Sequence, residues 1–193
     1  MIARIAVAAL GAAVLSAALA PVQPALAKPR PAAAPAPTSS KFTHAAGFDA
    51  SGYYMPTSEV RVGRYKVDSI DIASPADFAA WERGRRPKTF APVMLEVSDV
   101  TSPKATNELG QEFHTVRIRV LPDSYRVAPG YFEFRGHDTK LGLVIVSGAI
   151  DAAVVRRAKR AGPNAAANLA ITGGLEMAGE RIRNVSFSWF GGD

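Results

Sequence analysis

The chain has no cysteine. That excludes disulfides, thiol chemistry, cysteine-based zinc sites and lipid attachment through cysteine. A fold built from it must stand on its hydrophobic core alone, and 193 residues are enough, since a domain near 150 residues buries about 70% of its unfolded surface. Histidine is scarce as well. His44, His114 and His137 are the only three, and none has a second histidine at metal-ligand spacing. A zinc site needs three or four converging ligands, so we expect no metal and no cofactor. The Gly-x-Ser-x-Gly elbow of serine hydrolases is absent. Gly173-Gly174 and Gly191-Gly192 lack the Lys and Ser/Thr of a phosphate loop and read as turn formers.

Long apolar runs are missing too. A spanning helix wants about twenty predominantly apolar residues. The nearest approach, Ile5 to Ala20, has sixteen and is ended by Pro21. With Arg4 before it and small residues after it, this run has the parts of a secretory signal. Two A-x-A sites are available. The one at Ala20 is followed by Pro21, whose ring and missing N–H suit a scissile bond poorly. The one at Ala27 is followed by Lys28. We therefore expect a signal peptide over 1–27, cleavage between Ala27 and Lys28, no transmembrane span in the mature chain, and a periplasmic or extracellular address in the bacterial envelope. No twin-Arg pair stands near the start, which favours the general secretory route.

Lys28 to Ser40 alternates Ala and Pro without a large apolar residue. Such a segment cannot bury enough surface to offset its ordering entropy. It reads as a disordered tether over 28–47, leaving one globular domain over 48–193. Charge is unbalanced, with 23 basic against 17 acidic residues for a net +6. A pI near 9.8 ordinarily points to nucleic acid. Export removes that partner and leaves an anionic envelope polymer, lipid headgroups or another envelope protein.

What is present is mostly strand pattern. Val60 to Ile72 alternates with period two, but its apolar phase flips near Gly63 and Ser69, which predicts a bulge or bend. Ser74-Pro75-Ala76-Asp77 has an N-cap serine, a proline at the first helical position and an acid three residues after the cap. It predicts a short helix, with Phe78 and Trp81 on one face and Gly84 at its stop. Pro92 to Val100 and Glu112 to Leu121 read as strands. Ala128-Pro129-Gly130 reads as a hairpin turn, and Gly136-His137-Asp138 as a second turn. Leu141 to Ile150 is apolar on both faces, as in a strand covered on two sides. Asp151 caps a second helix, with Val154, Ala158 and Ala161 on its apolar face. Short strands over 168–172 and 175–177 are split by Gly173-Gly174. The last strand places Val185, Phe187 and Trp189 inward. The fold class is β-rich α+β: antiparallel sheets, sandwich-like or a partly open barrel, with two short packed helices.

Two places carry chemistry in this reading. Arg156, Arg157, Lys159 and Arg160 give the second helix a basic face for an anionic surface. The polar stretch from Asp99 to His114 holds Asn107, Glu108, Glu112 and His114, and a carboxylate beside an imidazole does acid–base work when the two are in hydrogen-bond reach. The leading expectation is a non-enzymatic envelope binding or structural protein. The alternative is an exported hydrolase using Glu108, Glu112 and His114. The export reading is tested by intact mass of the secreted protein: the mature N-terminus should be Lys28, and a chain that retains Met1 contradicts it.

Overall fold

A computed structural model describes residues 41–162 and 168–192. The expected signal peptide and tether residues 28–40 lie outside the described residues. Within them the elements run β1 (Phe42–His44), β2 (Gly52–Pro56), β3 (Arg61–Val62), β4 (Tyr65–Ile72), α1 (Pro75–Glu82), β5 (Val93–Asp99), β6 (Lys104–Thr106), β7 (Glu112–His114), β8 (Arg117–Val120), β9 (Pro122–Ala128), β10 (Tyr131–Asp138), β11 (Gly142–Ile150), α2 (Ala152–Ala161), β12 (Ile171–Met177) and β13 (Glu180–Phe190).

Eleven strands form one curled half-barrel sheet in the order β1-β9-β10-β11-β12-β13-β2-β4-β5-β8, with β3 attached to β4, while β6 and β7 form a separate hairpin. The described residues are therefore β-rich with two helices among them, as expected. The sheet is mixed, not purely antiparallel, because β1 lies parallel on β9. Among the described residues the remaining sheet is the two-stranded β6–β7 hairpin, so the strands form a half-barrel and not the two large facing sheets of a sandwich. Residues 42–44, within the stretch read as tether, form strand β1. Phe42 brings a large ring to the edge of β9, where it meets Tyr125 at 5.2 Å and Trp81 at 6.0 Å between centroids.

The last strand of the order and the second are joined by a single residue. β8 pairs with β5 at one end, β9 pairs with β10 near the other, and only Leu121 separates β8 from β9. Pro122 opens β9, a position where its missing N–H breaks no ladder. It lies opposite Gly136 of β10. A Cβ on Gly136 would sit 2.4 Å from Leu121 O and 2.9 Å from Val120 Cγ1. The glycine is what lets the corner close.

Inside the curl, alternate residues of each strand form one core. Tyr54, Ile70, Leu95, Phe132, Phe134, Val146, Leu175 and Phe187 are all essentially inaccessible. α1 follows β4 in sequence, yet its aromatic face meets β1 and β9. Phe78 stacks on His44 at 4.0 Å and meets Tyr125 edge-on at 5.2 Å. The helix starts as its sequence dictates. Ser74 Oγ accepts from Asp77 N, and the Asp77 carboxylate accepts from Ser74 N, a reciprocal capping box with Pro75 inside it.

The phase flips in β4 resolve into a turn at Gly63 and a bulge at Asp68, where Val67 pairs with Val97 and Ser69 pairs with Glu96. A second bulge falls at Asn184, between the pairs Gly173–Val185 and Gly174–Arg183. Asn184 takes a φ of 59°, which asparagine tolerates better than most residues.

Several expectations are corrected. Glu112 to Leu121 is not one strand, because the chain breaks at Thr115-Val116 between β7 and β8. Gly136 to Asp138 continue β10, and the turn falls at 139–141, where Asp138 Oδ1 accepts from the Lys140 and Leu141 amides. β11 is not covered on two sides. Val144, Val146 and Ile150 are buried, whereas Leu143 and Ile145 are partly exposed, since the outer face of a single curled sheet meets solvent. On α2 the buried pair is Val155 and Ala158, with Ala161 exposed. Gly173-Gly174 are not a turn but the interior of one continuous strand, β12.

Gly148 and Gly173 face each other across β11 and β12. A Cβ on either would lie 2.1 Å from a backbone oxygen of the other strand. Rigid backbone cannot yield as a side chain can. Gly148→Ala or Gly173→Ala should each cost about 1–3 kcal/mol, the usual scale of overpacking. Gly174→Ala, whose nearest contact is 3.4 Å, should cost much less. Urea denaturation checks this, and equal costs at the three sites would contradict it.

Candidate functional site

A wide hollow lies on the outer face of the sheet, over β13, β2, β4, β5 and β8. The strand register builds it. Outward residues form cross-strand ladders, because side chains on one face of paired strands are neighbours. Phe190 pairs with Tyr53, Tyr53 with Asp71 and Asp71 with Met94. In the next row Ser69 pairs with Glu96 and Glu96 with Arg119, and beyond it Lys66 pairs with Ser98 and Ser98 with Arg117. The segment between α1 and β5 adds Lys88 and Thr89 as a wall. The resulting groove is open and holds about 930 Å³. A second hollow of about 550 Å³, lined by Phe90, Lys159 and Trp189 among others, shares Tyr53 and Asp71 with it. These two adjoining hollows together are the cleft.

Apolar groups stand along one side of this cleft. Tyr53, Met55 and Phe190 are 45%, 44% and 38% exposed, and Phe90 is 36% exposed. A folded chain places such side chains in water singly without consequence. Four of them around one cleft form a patch, and patches mark interaction sites.

The polar groups of the floor are tied to one another. Arg119 Nε donates to Glu96 Oε1 at 2.5 Å, and Arg119 Nη1 donates to Thr89 O at 3.3 Å. Ser69 Oγ donates to Asp71 Oδ1 at 2.6 Å. Ser98 Oγ donates to Asp68 Oδ2, and Lys66 Nζ lies 3.4 Å from Asp68 Oδ1. Burial pushes the Asp71 carboxyl up, and the nearby Glu96 charge adds to this, while the Ser69 hydroxyl and the Arg119 guanidinium oppose it. Asp68, Asp71 and Glu96 face Lys88, Arg117 and Arg119 as lining residues. Three negative and three positive groups leave the groove formally neutral, in a chain of net +6.

The residues singled out from sequence lie elsewhere. Glu108 is exposed in the turn of the β6–β7 hairpin. Glu112 Oε2 pairs with Lys104 Nζ at 2.9 Å in solvent, and that hydrogen bond holds its carboxyl below the usual range. His114 Nδ1 is 3.1 Å from Ser102 O. None of these three lines the groove or the hollow beside it. Asn107 Oδ1 accepts from the Leu109 and Gln111 amides and so shapes the turn. Asp99 is a buried tie at the end of β5. It accepts from Arg64 and from Thr101 N and Oγ1, and the Arg64 hydrogen bond holds its carboxyl far below the usual range.

On α2, Arg156, Arg157 and Arg160 are exposed. Lys159 turns away from them to Asp49 Oδ2 and Ser51 Oγ, each at 2.7 Å. No family model matches this chain, and comparison with characterised proteins and with solved structures gave no match either.

Asp71 makes the site's cost to the fold measurable. A carboxyl whose pKa is raised on folding holds its proton more tightly in the folded state. Its ionised form therefore lowers stability at neutral pH, and that penalty disappears as the pH falls and the group is protonated in both states. Asp71→Asn keeps an acceptor for Ser69 and removes the charge. It should raise Tm at neutral pH, with the gain shrinking as the pH falls through the carboxylate range. A thermal scan against pH tests this, and a variant less stable than wild type at neutral pH would contradict it.

Proposed function

We propose that the protein is an exported, non-enzymatic binding protein of the bacterial envelope, periplasmic or extracellular, that takes its ligand in the outer-face cleft. One observation carries this reading: the exposed side chains Tyr53, Met55 and Phe190 are gathered beside a floor where Asp68, Asp71 and Glu96 are each held by a hydrogen bond. Exposed apolar groups around a concave surface favour contact with a ligand by removing apolar area from water. The address rests on the export signal. Among the described residues no helix is long and apolar enough to cross a membrane.

The non-enzymatic part rests on how the floor groups are engaged. Glu96 is held by Arg119, Asp68 by Ser98 and Asp71 by Ser69. These bonds fix the carboxylates as recognition groups. The hydrolase alternative at Glu108, Glu112 and His114 draws less support, since Glu112 is committed to Lys104. The basic face of α2 draws less support as well, since one of its four cations, Lys159, is committed to Asp49 and Ser51.

Hydroxyl-radical footprinting with an isolated envelope fraction separates the three locations. Protection should fall on Tyr53, Met55 and Phe190, leaving the exposed Leu109 unchanged. Protection at 156–160 or 108–114 instead, or none anywhere, would contradict the proposal.

A further inference from the structure

Resting on the cleft as the binding site, we infer that its ligand is a neutral glycan chain. The first ground is charge. The protein is basic overall, yet this groove balances three carboxylates with three cations. A site selecting an anionic polymer would concentrate cations there, because complementary potential is what steers and discriminates charged partners. This groove presents no net charge to either sign.

The second ground is the form of the apolar groups. Phe190 and Tyr53 are cross-strand neighbours on the outer face, half-exposed and side by side. Aromatic rings offer large, rigid contact area at low entropic cost, and the flat C–H face of a pyranose ring packs on such a platform. The third ground is the floor. Ionised carboxylates accept at two oxygens, and the guanidinium presents a planar fork of donors. Both match vicinal hydroxyl pairs, which donate and accept at once. Asp71, Glu96 and Arg119 set such groups next to the aromatic platform. The Glu96–Arg119 pair and the Ser69 hydrogen bond to Asp71 keep them oriented before a ligand arrives, which lowers the entropy lost on binding.

The fourth ground is extent. Five strands from β8 to β13 span about 19 Å at the usual inter-strand spacing. With the second hollow adjoining at Tyr53 and Asp71, that length accommodates several linked rings of a chain.

The test is calorimetric titration with an oligosaccharide panel of neutral, uronate-bearing and amino-sugar chains, run beside a mixed-sequence peptide library. Neutral chains should bind, with affinity nearly independent of salt. Tyr53→Ala should weaken that binding about tenfold, which corresponds to about 1.4 kcal/mol, and Glu96→Gln should weaken it without changing its salt response. Arg156→Glu should leave it unchanged. Tm measured for each variant identifies any that fails to fold, and Phe190→Ala provides a second probe of the platform. Binding only of uronate chains, only of amino-sugar chains or only of peptides would overturn the inference, as would no binding by the panel. Footprint protection of Tyr53 without neutral-chain binding removes the glycan and retains the cleft. Loss of protection removes both.

Discussion

The corner at Val120-Leu121-Pro122 is the constraint on which the remaining structure depends. One residue carries the chain from the last strand of the sheet order into the second. The turn is possible because Gly136 offers no Cβ where Leu121 O approaches. A sheet fixed at both ends in this way has to curl. Curling turns one side chain of each alternating pair inward, where Phe132, Phe134, Val146 and Phe187 fill the space. It also bends the outer face around β2, β4, β5 and β8.

The outer face is where structure passes to function. Inner residues are chosen for volume, and outer ones are free to be chosen for chemistry. Along β2, β4, β5 and β8 the outer ladder is not a random polar surface. It holds a partly buried carboxyl at Asp71, an ion pair at Glu96 and Arg119, and bulky apolar groups at Tyr53 and Met55. Two devices hold this arrangement rigid. The bulge at Asp68 re-aims that side chain toward Ser98, as bulges commonly do, and the Arg119 bond to Thr89 O ties the wall segment to β8. The rigidity comes at the cost of one disfavoured charge, Asp71, and such tension between stability and a working site is common.

Local signals were readable in the sequence, and long-range pairing was not. Ser74, Pro75 and Asp77 mark the start of α1 because a capping box is complete within four residues. Val185, Phe187 and Trp189 mark the inner face of β13 because strand alternation is a property of the strand itself. The sequence left a partly open barrel and a sandwich both open, and the choice between them could not be read, because it depends on β1 meeting β9 and on Gly136 meeting Leu121. Leu141 to Ile150 misled for the same reason: apolar residues on both faces describe a strand, and only its neighbours decide whether a second layer exists. The cleft was hidden in a stronger sense. Asp71, Glu96, Arg117 and Arg119 stand out as the polar members of their strands. Tyr53 and Met55 lie in a stretch broken by Gly47, Gly52 and Pro56, where no period can be assigned. Only the register β13-β2-β4-β5-β8 puts them in one place. Glu108, Glu112 and His114 attracted notice by being close in sequence, which a hairpin turn and a solvent ion pair explain.

The claim that the Gly136 corner binds both ends of the sheet into one unit is tested most directly by native-state amide hydrogen exchange. If it holds, the hydrogen-bonded amides of β8 open only with those of β10, at the same free energy and with the same denaturant dependence, as members of one cooperative unit do. Amides of β8 that exchange by a separate, lower-energy opening while β10 stays protected would contradict it. The groove floor that contains Arg117 and Arg119 would then lack its support.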